Sequence, residues 1–178
     1  MKVSISNGPF GSFAYTSLAH RSKRVFLTDG FQSGIDAAAN SITQNQKMLF
    51  GKECHVTVHQ MSWSDQSQIE NLLSQVQNLS LILAADCLYP DVSNWPSFFY
   101  TLSKLLNHSP SNKTVPKALI AFHKRNSFQT FEPFLDFWKL KSRIIPLDCL
   151  GLDKLDDVGG TKLPGPNTGS IILYEISV

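Results

Sequence analysis

The sequence predicts an α/β fold, with helices on both faces of a mainly parallel sheet. Short β-branched or apolar runs alternate along the chain with segments of helical period, and repeated β–α units join parallel strands through right-handed crossovers. The run at 79–85 is almost continuously apolar, as in a strand that is covered on both faces. The last two strand-like segments have no helical pattern between them, so we expect an antiparallel pair at the end of the sheet.

The first half of the chain predicts three strands and two helices. The segment 24–28 is apolar and β-branched and ends at an Asp-Gly turn signal. Between 31 and 49 the apolar residues follow helical spacing, with Gln, Asn and Ser between them. The segment 55–59 alternates with period two, which indicates a strand. A polar helix is expected within 66–77, before the buried strand at 79–85.

The second half continues the alternation. Large apolar side chains form one helical stripe over 95–106, and 118–122 reads as another buried strand. A further stripe at 128–138 contains Pro133, which must kink that helix or lie in its first turn. A loop rich in Gly, Pro and Asp separates the last two strand-like segments, which are 143–149 and 170–178.

Composition limits the class of protein. The 178 residues, 42% of them hydrophobic, suffice for a single domain over 1–178 with a continuous core. A net charge of +2 gives no argument for nucleic acid or an anionic membrane as partner. The sequence has no apolar run of the roughly 18–20 residues that a membrane span needs and no signal-peptide pattern, so we expect a cytoplasmic or nuclear protein. Three cysteines without a C-x-x-C pair argue against a disulfide framework.

Residues suited to a nucleoside pocket follow three of the predicted strands. Asp29 follows the first, Trp63 the second, and Asp86 with Tyr89 the third, and ligands of open α/β sheets bind beyond such strand ends. A carboxylate there can accept hydrogen bonds from both hydroxyls of a ribose. An aromatic ring beside it can stack on adenine.

Each of these residues also has a purely structural interpretation. Asp29 is a residue type that favours turns and helix N-caps. Trp63 is of a type that is mostly buried in packing. Asp86 follows a very apolar strand, so its carboxylate is expected to accept hydrogen bonds from the backbone or from a ligand. The order of all three along one sheet edge favours the nucleoside pocket.

Other candidate sites are weaker. His55 and His59 would point to the same face of a strand, which suits a metal only if further ligands converge, and we predict no metal site. The basic segment 123–125 could meet an acidic peptide or be a solvated loop. The sequence contains no Walker P-loop, G-x-S-x-G or H-E-x-x-H motif.

Four segments carry a resemblance to a known family. They are VFLTDG at 25–30, NQK at 45–47, the segment around Trp63, and ADCLY at 85–89. Together they resemble the seven-β-strand (class I) S-adenosylmethionine-dependent protein-lysine methyltransferases, which carry a D-x-x-Y motif. Within that family the string is most similar to the calmodulin-lysine N-methyltransferases. The resemblance covers about 24–134 and implies a Rossmann-like sheet.

The resemblance implies a role for each matching residue. Asp29 would bind the ribose of S-adenosylmethionine, Trp63 would lie beside the adenine, and Ala85 would border the methionine moiety. Asp86 and Tyr89 would be the catalytic pair that shapes the target-lysine site. The implied partner is a protein substrate, calmodulin or another lysine-bearing protein. We further expect a monomer with no metal site and no nucleic-acid or membrane partner.

The N-terminal region departs from the family pattern. The family has an acid followed by G-x-G after its first strand, about 20 residues before the ribose-binding acid. Residues 1–23 offer a possible strand with Gly8 and Gly11, but no acid and no G-x-G, although close backbone approach to a cofactor needs such glycines. We therefore expect an N-terminally shortened domain, which would be a truncated or alternatively spliced product, or a diverged member with weak or absent cofactor binding. The alternative functions are a catalytically impaired protein-binding module and an unrelated nucleoside-binding α/β protein.

Overall fold

The computed structural model describes residues 2–5, 23–49, 54–85, 87–88, 92–108, 115–124, 130–146 and 171–178. These residues form seven strands and four α-helices. The strands are β1 (Lys2–Ile5), β2 (Arg24–Asp29), β3 (His55–Gln60), β4 (Leu81–Ala85), β5 (Lys117–His123), β6 (Lys141–Ile145) and β7 (Ile171–Ser177). The helices are α1 (Gln32–Leu49), α2 (Gln66–Gln75), α3 (Trp95–Asn107) and α4 (Glu132–Phe137).

All seven described strands belong to one sheet, in the order β3-β2-β1-β4-β5-β7-β6. Strands β1 to β5 pair in parallel, and β1 lies in the middle between β2 and β4. Strand β7 is antiparallel to both of its neighbours, β5 and β6. The predicted α/β fold and its C-terminal antiparallel pair are therefore confirmed, and the possible strand before Gly8 is β1.

Helices cover both faces of this sheet unequally. On one face, α2, α3 and α4 pack over a large aromatic and aliphatic core. The other face carries α1 over a smaller cluster that includes Val25, Leu27 and Ala38. The core on the first face is larger because α3 contributes a stripe of apolar side chains that are at most 2% exposed: Trp95, Phe98, Phe99, Leu102, Leu105 and Leu106.

The element bounds agree with the predicted ones, with two corrections near the C-terminus. The helix expected over 128–138 is only the six residues of α4, and Pro133 lies in its first turn, where the missing N–H removes no helical hydrogen bond. Strand β6 begins at Lys141, earlier than the predicted 143, and the predicted loop at 151–169 lies outside the described residues. In the part of the chain that is described, no helix is both long enough and apolar enough to cross a membrane.

Candidate functional site

The carboxyl ends of four parallel strands meet at one edge of the sheet. Ile5 of β1 is in register with Thr28 and with Ala84, and Asp29 is in register with Gln60. The chain segments that follow β2 and β3 therefore start side by side. This edge is the place where open α/β sheets bind ligands, and of the predicted site residues Asp29 and Ala85 end strands there and Trp63 lies in the segment after β3.

Asp29 ends β2 with its side chain only 4% exposed. The backbone N–H of Phe31 donates to its Oδ1 at 2.9 Å, which is the Asx turn that an Asp at this position favours. The backbone carbonyl of Asp29 accepts from the N–H of Met61 at 2.8 Å, so the same residue joins the end of β2 to the segment after β3. The turn that was one interpretation of Asp29 is present, directly beside the candidate site.

A cavity of about 140 Å³ opens next to this turn. Its lining comes from the loop after β2, the loop after β3 and the start of α3, and the lining residues are Gly30, Phe31, Met61, Ser62, Trp63, Ser64, Asn94 and Ser97. The Phe31 side chain is 62% exposed, so its ring is accessible where it lines the cavity. Asp29 is not among the described lining residues; it stands immediately before Gly30 in the cavity wall.

The loop after β3 is held by the N-terminus of α2. The Asp65 carboxylate caps that helix, accepting from the N–H groups of Ser67 and Gln68 at 3.0 and 3.2 Å. The hydrogen bond from the Ser67 side chain is the main cause that lowers the pKa of Asp65. The Gln68 side chain in turn accepts from the N–H of Ser62 at 2.8 Å. These bonds stabilise the loop that supplies four of the cavity residues, because they satisfy backbone donors at its two ends.

Trp63 is a packing residue, as its structural interpretation predicts, and it also lines the cavity. Its side chain is 8% exposed and packs edge-on against Phe98, with ring centroids 5.0 Å apart. Its carbonyl accepts from the buried Thr101 hydroxyl at 3.4 Å. Trp63 is therefore a core residue that also lines the cavity, and α3 determines its position.

Asn94, Ser97 and Phe31 are site residues that sequence reasoning missed. Asn94 precedes the first residue of α3, yet its side chain makes no capping hydrogen bond, although Asn is among the preferred N-cap residues. Ser97 is the third residue of the same helix and lies in its first turn. An aromatic residue directly after the Asp-Gly turn is the one signal that the sequence offers, which is Phe31; the other two residues reach the cavity only through the packing of α3.

The residues after β4 are described in part. Ala85 is exposed at the end of β4, and its carbonyl accepts from the Cys87 thiol at 3.5 Å. Cys87 and Leu88, the two middle residues of the D-x-x-Y segment, are each 2% exposed. They anchor this segment in the core. Asp86 and Tyr89 themselves lie outside the described residues, as do Gly8 and Gly11.

The two histidines of β3 differ in environment. His55 is exposed, whereas the Nε2 of His59 is buried without a hydrogen-bond partner, and the ring packs 5.4 Å from that of Phe26. Burial lowers the pKa of His59, which a hydrogen bond with Gln75 only partly offsets. No group of three or more metal-ligating side chains occurs within the described ranges.

Comparison with known families decides the class of the chain. A family model described as lysine methyltransferase matches residues 11–137, well over half of the 178 residues. The chain belongs to this lysine methyltransferase family. The matched region runs from before β2 to the end of α4 and contains Asp29, Trp63 and Ala85. The family part of the sequence-based resemblance is thus confirmed.

Solved structures agree with this lysine methyltransferase assignment at the level of fold. The YcgJ protein from Bacillus subtilis aligns with a TM-score of 0.53 at 10% identity, over 98% of this chain and 91% of that one. An rRNA methylase from Streptococcus thermophilus gives 0.53 at 10% identity, over 99% and 87%. A SAM-dependent methyltransferase from Aquifex aeolicus gives 0.52 at 11% identity, over 98% and 80%. A search of curated proteins gave no significant match.

Proposed function

We propose that this family member is an S-adenosylmethionine-dependent protein-lysine N-methyltransferase, and that the cavity at the end of β2 and β3 holds the adenine of the cofactor. The observation that carries the proposal is the cavity itself. In this member of a lysine methyltransferase family, the cavity lies at the carboxyl edge of the sheet, beside the Asp that ends β2 and lined by the Trp that follows β3.

The residues at this site fit a nucleoside. The cavity volume of about 140 Å³ is many times the roughly 10–15 Å³ that one water needs on the same measure. The exposed ring of Phe31 offers a face on which a base can stack. The hydroxyls of Ser62, Ser64 and Ser97 and the amide of Asn94 offer donors and acceptors to its edges. The Asp29 carboxylate, one residue behind the wall, is the group that would accept the ribose hydroxyls.

The chemistry then requires alignment more than acid–base catalysis. S-adenosylmethionine supplies a methyl group already activated on a sulfonium sulfur. When bound, the cofactor would transfer this methyl to a neutral lysine amine, with an N–C bond replacing the C–S bond and the amine proton passing to solvent. In this proposal Ala85 borders the methionine moiety, and Asp86 and Tyr89 orient the amine in a site dry enough to keep it deprotonated.

The first test is cofactor binding. Isothermal titration of the wild-type chain with S-adenosylmethionine should show saturable binding. Asp29→Ala should raise the Kd about 10- to 100-fold, since hydrogen bonds to a charged group contribute about 1.5–3 kcal/mol. Asp36→Ala is the matched control, because Asp36 is an exposed carboxylate of α1 that accepts a hydrogen bond from the Gln32 side chain at 2.8 Å. Absence of wild-type binding at millimolar cofactor would contradict the proposal.

The second test concerns the substrate. We propose a protein lysine as methyl acceptor, with calmodulin as the first protein to assay, because the sequence string is most similar to the calmodulin-lysine N-methyltransferases. Transfer of a labelled methyl group to calmodulin, followed by mass spectrometry of its peptides, would identify the lysine. Transfer to other lysine-bearing proteins but not to calmodulin would support the proposed reaction and contradict calmodulin as its substrate.

A second candidate function is a protein-binding module without methyl transfer. The stretch 1–23 favours it, because it contains neither an acid nor G-x-G, and the backbone needs glycines to approach a cofactor closely. The titration separates the two functions. A wild-type chain that is folded by circular dichroism but binds no cofactor would support the binding module.

A further inference from the structure

The Asp29 carboxylate lies against the first turn of α1. It is buried, and its Oδ1 accepts from the N–H of Phe31 at 2.9 Å. The carbonyl of Phe31 in turn accepts from the N–H groups of Gly34 and Ile35, at 3.0 and 3.1 Å, where the helix begins. A negative charge at this end of a helix is favourable, because the free N–H groups and the helix dipole both attract it. The carboxylate and the first turn of α1 therefore form one packed unit.

Gly34 is the residue that makes this packing possible. A Cβ atom built on Gly34 would lie 2.4 Å from Cγ of Asp29 and 2.6 and 2.8 Å from its two carboxylate oxygens. Real Cβ atoms do not approach other atoms so closely, so a side chain at this position would displace the carboxylate. The displacement cannot be absorbed as it would be at the end of a long exposed side chain, because the Asp29 side chain is short, buried and hydrogen-bonded.

We propose that Gly34 is a positioning residue of the cofactor site, which acts only through the Asp29 carboxylate. Asp29 is bonded to both walls of the cavity, through its carboxylate to Phe31 and through its carbonyl to Met61. Displacing the carboxylate thus removes the ribose acceptor and releases Phe31 from its place at the cavity mouth. This inference rests on the proposed function, because it concerns the affinity for S-adenosylmethionine.

Helix propensity alone gives no reason for Gly34→Ala to be harmful, whereas the proposal predicts that this change weakens cofactor binding. Replacing Gly by Ala inside a helix ordinarily favours the helix. Gly34→Ala should nevertheless weaken cofactor binding by about tenfold or more, as loss of hydrogen bonds to a charged group does. Ser33→Ala, at the exposed neighbouring position of α1, is the matched control and should bind as the wild type does.

The experiment is a double-mutant cycle measured by isothermal titration with S-adenosylmethionine. The four chains are the wild type, Gly34→Ala, Asp29→Ala and the double variant. If Gly34 acts through Asp29, the single Gly34→Ala change raises the Kd, while the same change adds no more than about twofold in the Asp29→Ala background, because coupled residues are not additive. A Gly34→Ala chain with wild-type affinity, or with an equal loss in both backgrounds, overturns the proposal.

Two further outcomes are a Gly34→Ala chain that does not fold and a wild-type chain that binds no cofactor. If Gly34→Ala fails to fold, circular dichroism of the double variant replaces the titration: recovery of the fold on removing the carboxylate supports the contact, and persistent unfolding overturns it. If the wild type binds no cofactor, the proposed function fails and this inference fails with it. If the wild type binds and only the Gly34 prediction fails, the proposed function stands.

Discussion

The environment of His59 couples one residue to the pH dependence of stability. Its Nε2 is buried without a hydrogen-bond partner, and burial lowers its pKa below the ordinary value of 6.5. The folded protein therefore binds fewer protons at this residue than the unfolded chain. Stability from this source is fully present above about pH 6.5 and decreases as the pH falls below that value.

We accordingly predict that the Tm falls as the pH is lowered from about 8 to about 5, and that His59→Gln makes this fall smaller. His55→Gln, at an exposed position of the same strand, should keep the wild-type pH dependence. Thermal unfolding followed by circular dichroism measures both. The carboxyls of Asp65 and Glu175, whose pKa values are lowered by hydrogen bonds from Ser67 and Lys117 respectively, lose their contribution only in more acidic solution. Identical profiles for the wild type and His59→Gln would contradict the assignment.

Individual site residues could be predicted only where a local sequence pattern marks their position. Asp29 stands at the junction of an apolar strand and an Asp-Gly turn, and the turn geometry is as that pattern predicts. Asn94 and Gly34 follow no such pattern. Asn94 lines the cavity because α3 packs beside the loop after β3, and Gly34 matters because of an atom five residues away in the chain. Contacts of this kind depend on tertiary packing, which residue types alone do not reveal.

At the scale of elements, α3 positions the site as well as forming the core. Phe98 packs against the ring of Trp63, and Thr101, which is fully buried, donates to the Trp63 carbonyl. A buried hydroxyl would be costly without such a partner. The helix therefore fixes the side chain and the backbone of the same cavity residue.

We predict that Thr101→Val destabilises the fold by about 1 kcal/mol, because the Trp63 carbonyl loses its donor while the side-chain shape is kept. For a chain of this size that corresponds to a Tm lower by about 2–4 °C. The Kd for S-adenosylmethionine should rise as well, since Trp63 lines the cavity. Thr101→Ser retains the hydroxyl and is the control for affinity. Unchanged Tm and Kd in Thr101→Val would show that the 3.4 Å contact contributes nothing.

Elements with strong periodicity were predicted well, and α4 shows why others were not. The stripe of large side chains over 95–106 and the apolar run of β4 each match an element of the structure. The stripe from 128 to 138 looks similar, yet the helix begins only at Glu132, with Pro133 in its first turn. Phe131, just before that helix, is buried between Phe99, Phe122 and Tyr174. Phe131 is thus apolar because it packs in the core outside any helix, and hydrophobic periodicity cannot distinguish such a residue from one on the buried face of a helix.

At the scale of the whole molecule, the order of the sheet exceeds what local patterns reveal. The absence of a helical pattern between the last two strands correctly predicts that they pair antiparallel. It does not predict that β7 lies between β5 and β6. That arrangement makes the last strand of the sequence an internal strand of the sheet. Its side chains Tyr174 and Ile176 are accordingly buried, at 7% and 0% exposure.

This topology predicts that the last eight residues are indispensable for folding. A chain ending at residue 170 would lack β7, which is the partner of β5 on one side and of β6 on the other. Both strands would then expose unpaired backbone groups, and the core would lose Tyr174 and Ile176. We expect no cooperative thermal transition in near-ultraviolet circular dichroism, whereas removal of the exposed Val178 alone should leave the Tm unchanged. The single change Ile176→Ala should give an intermediate result, a loss of about 2–5 kcal/mol. A truncated chain that unfolds cooperatively at the wild-type Tm would mean that β5 and β6 do not depend on β7.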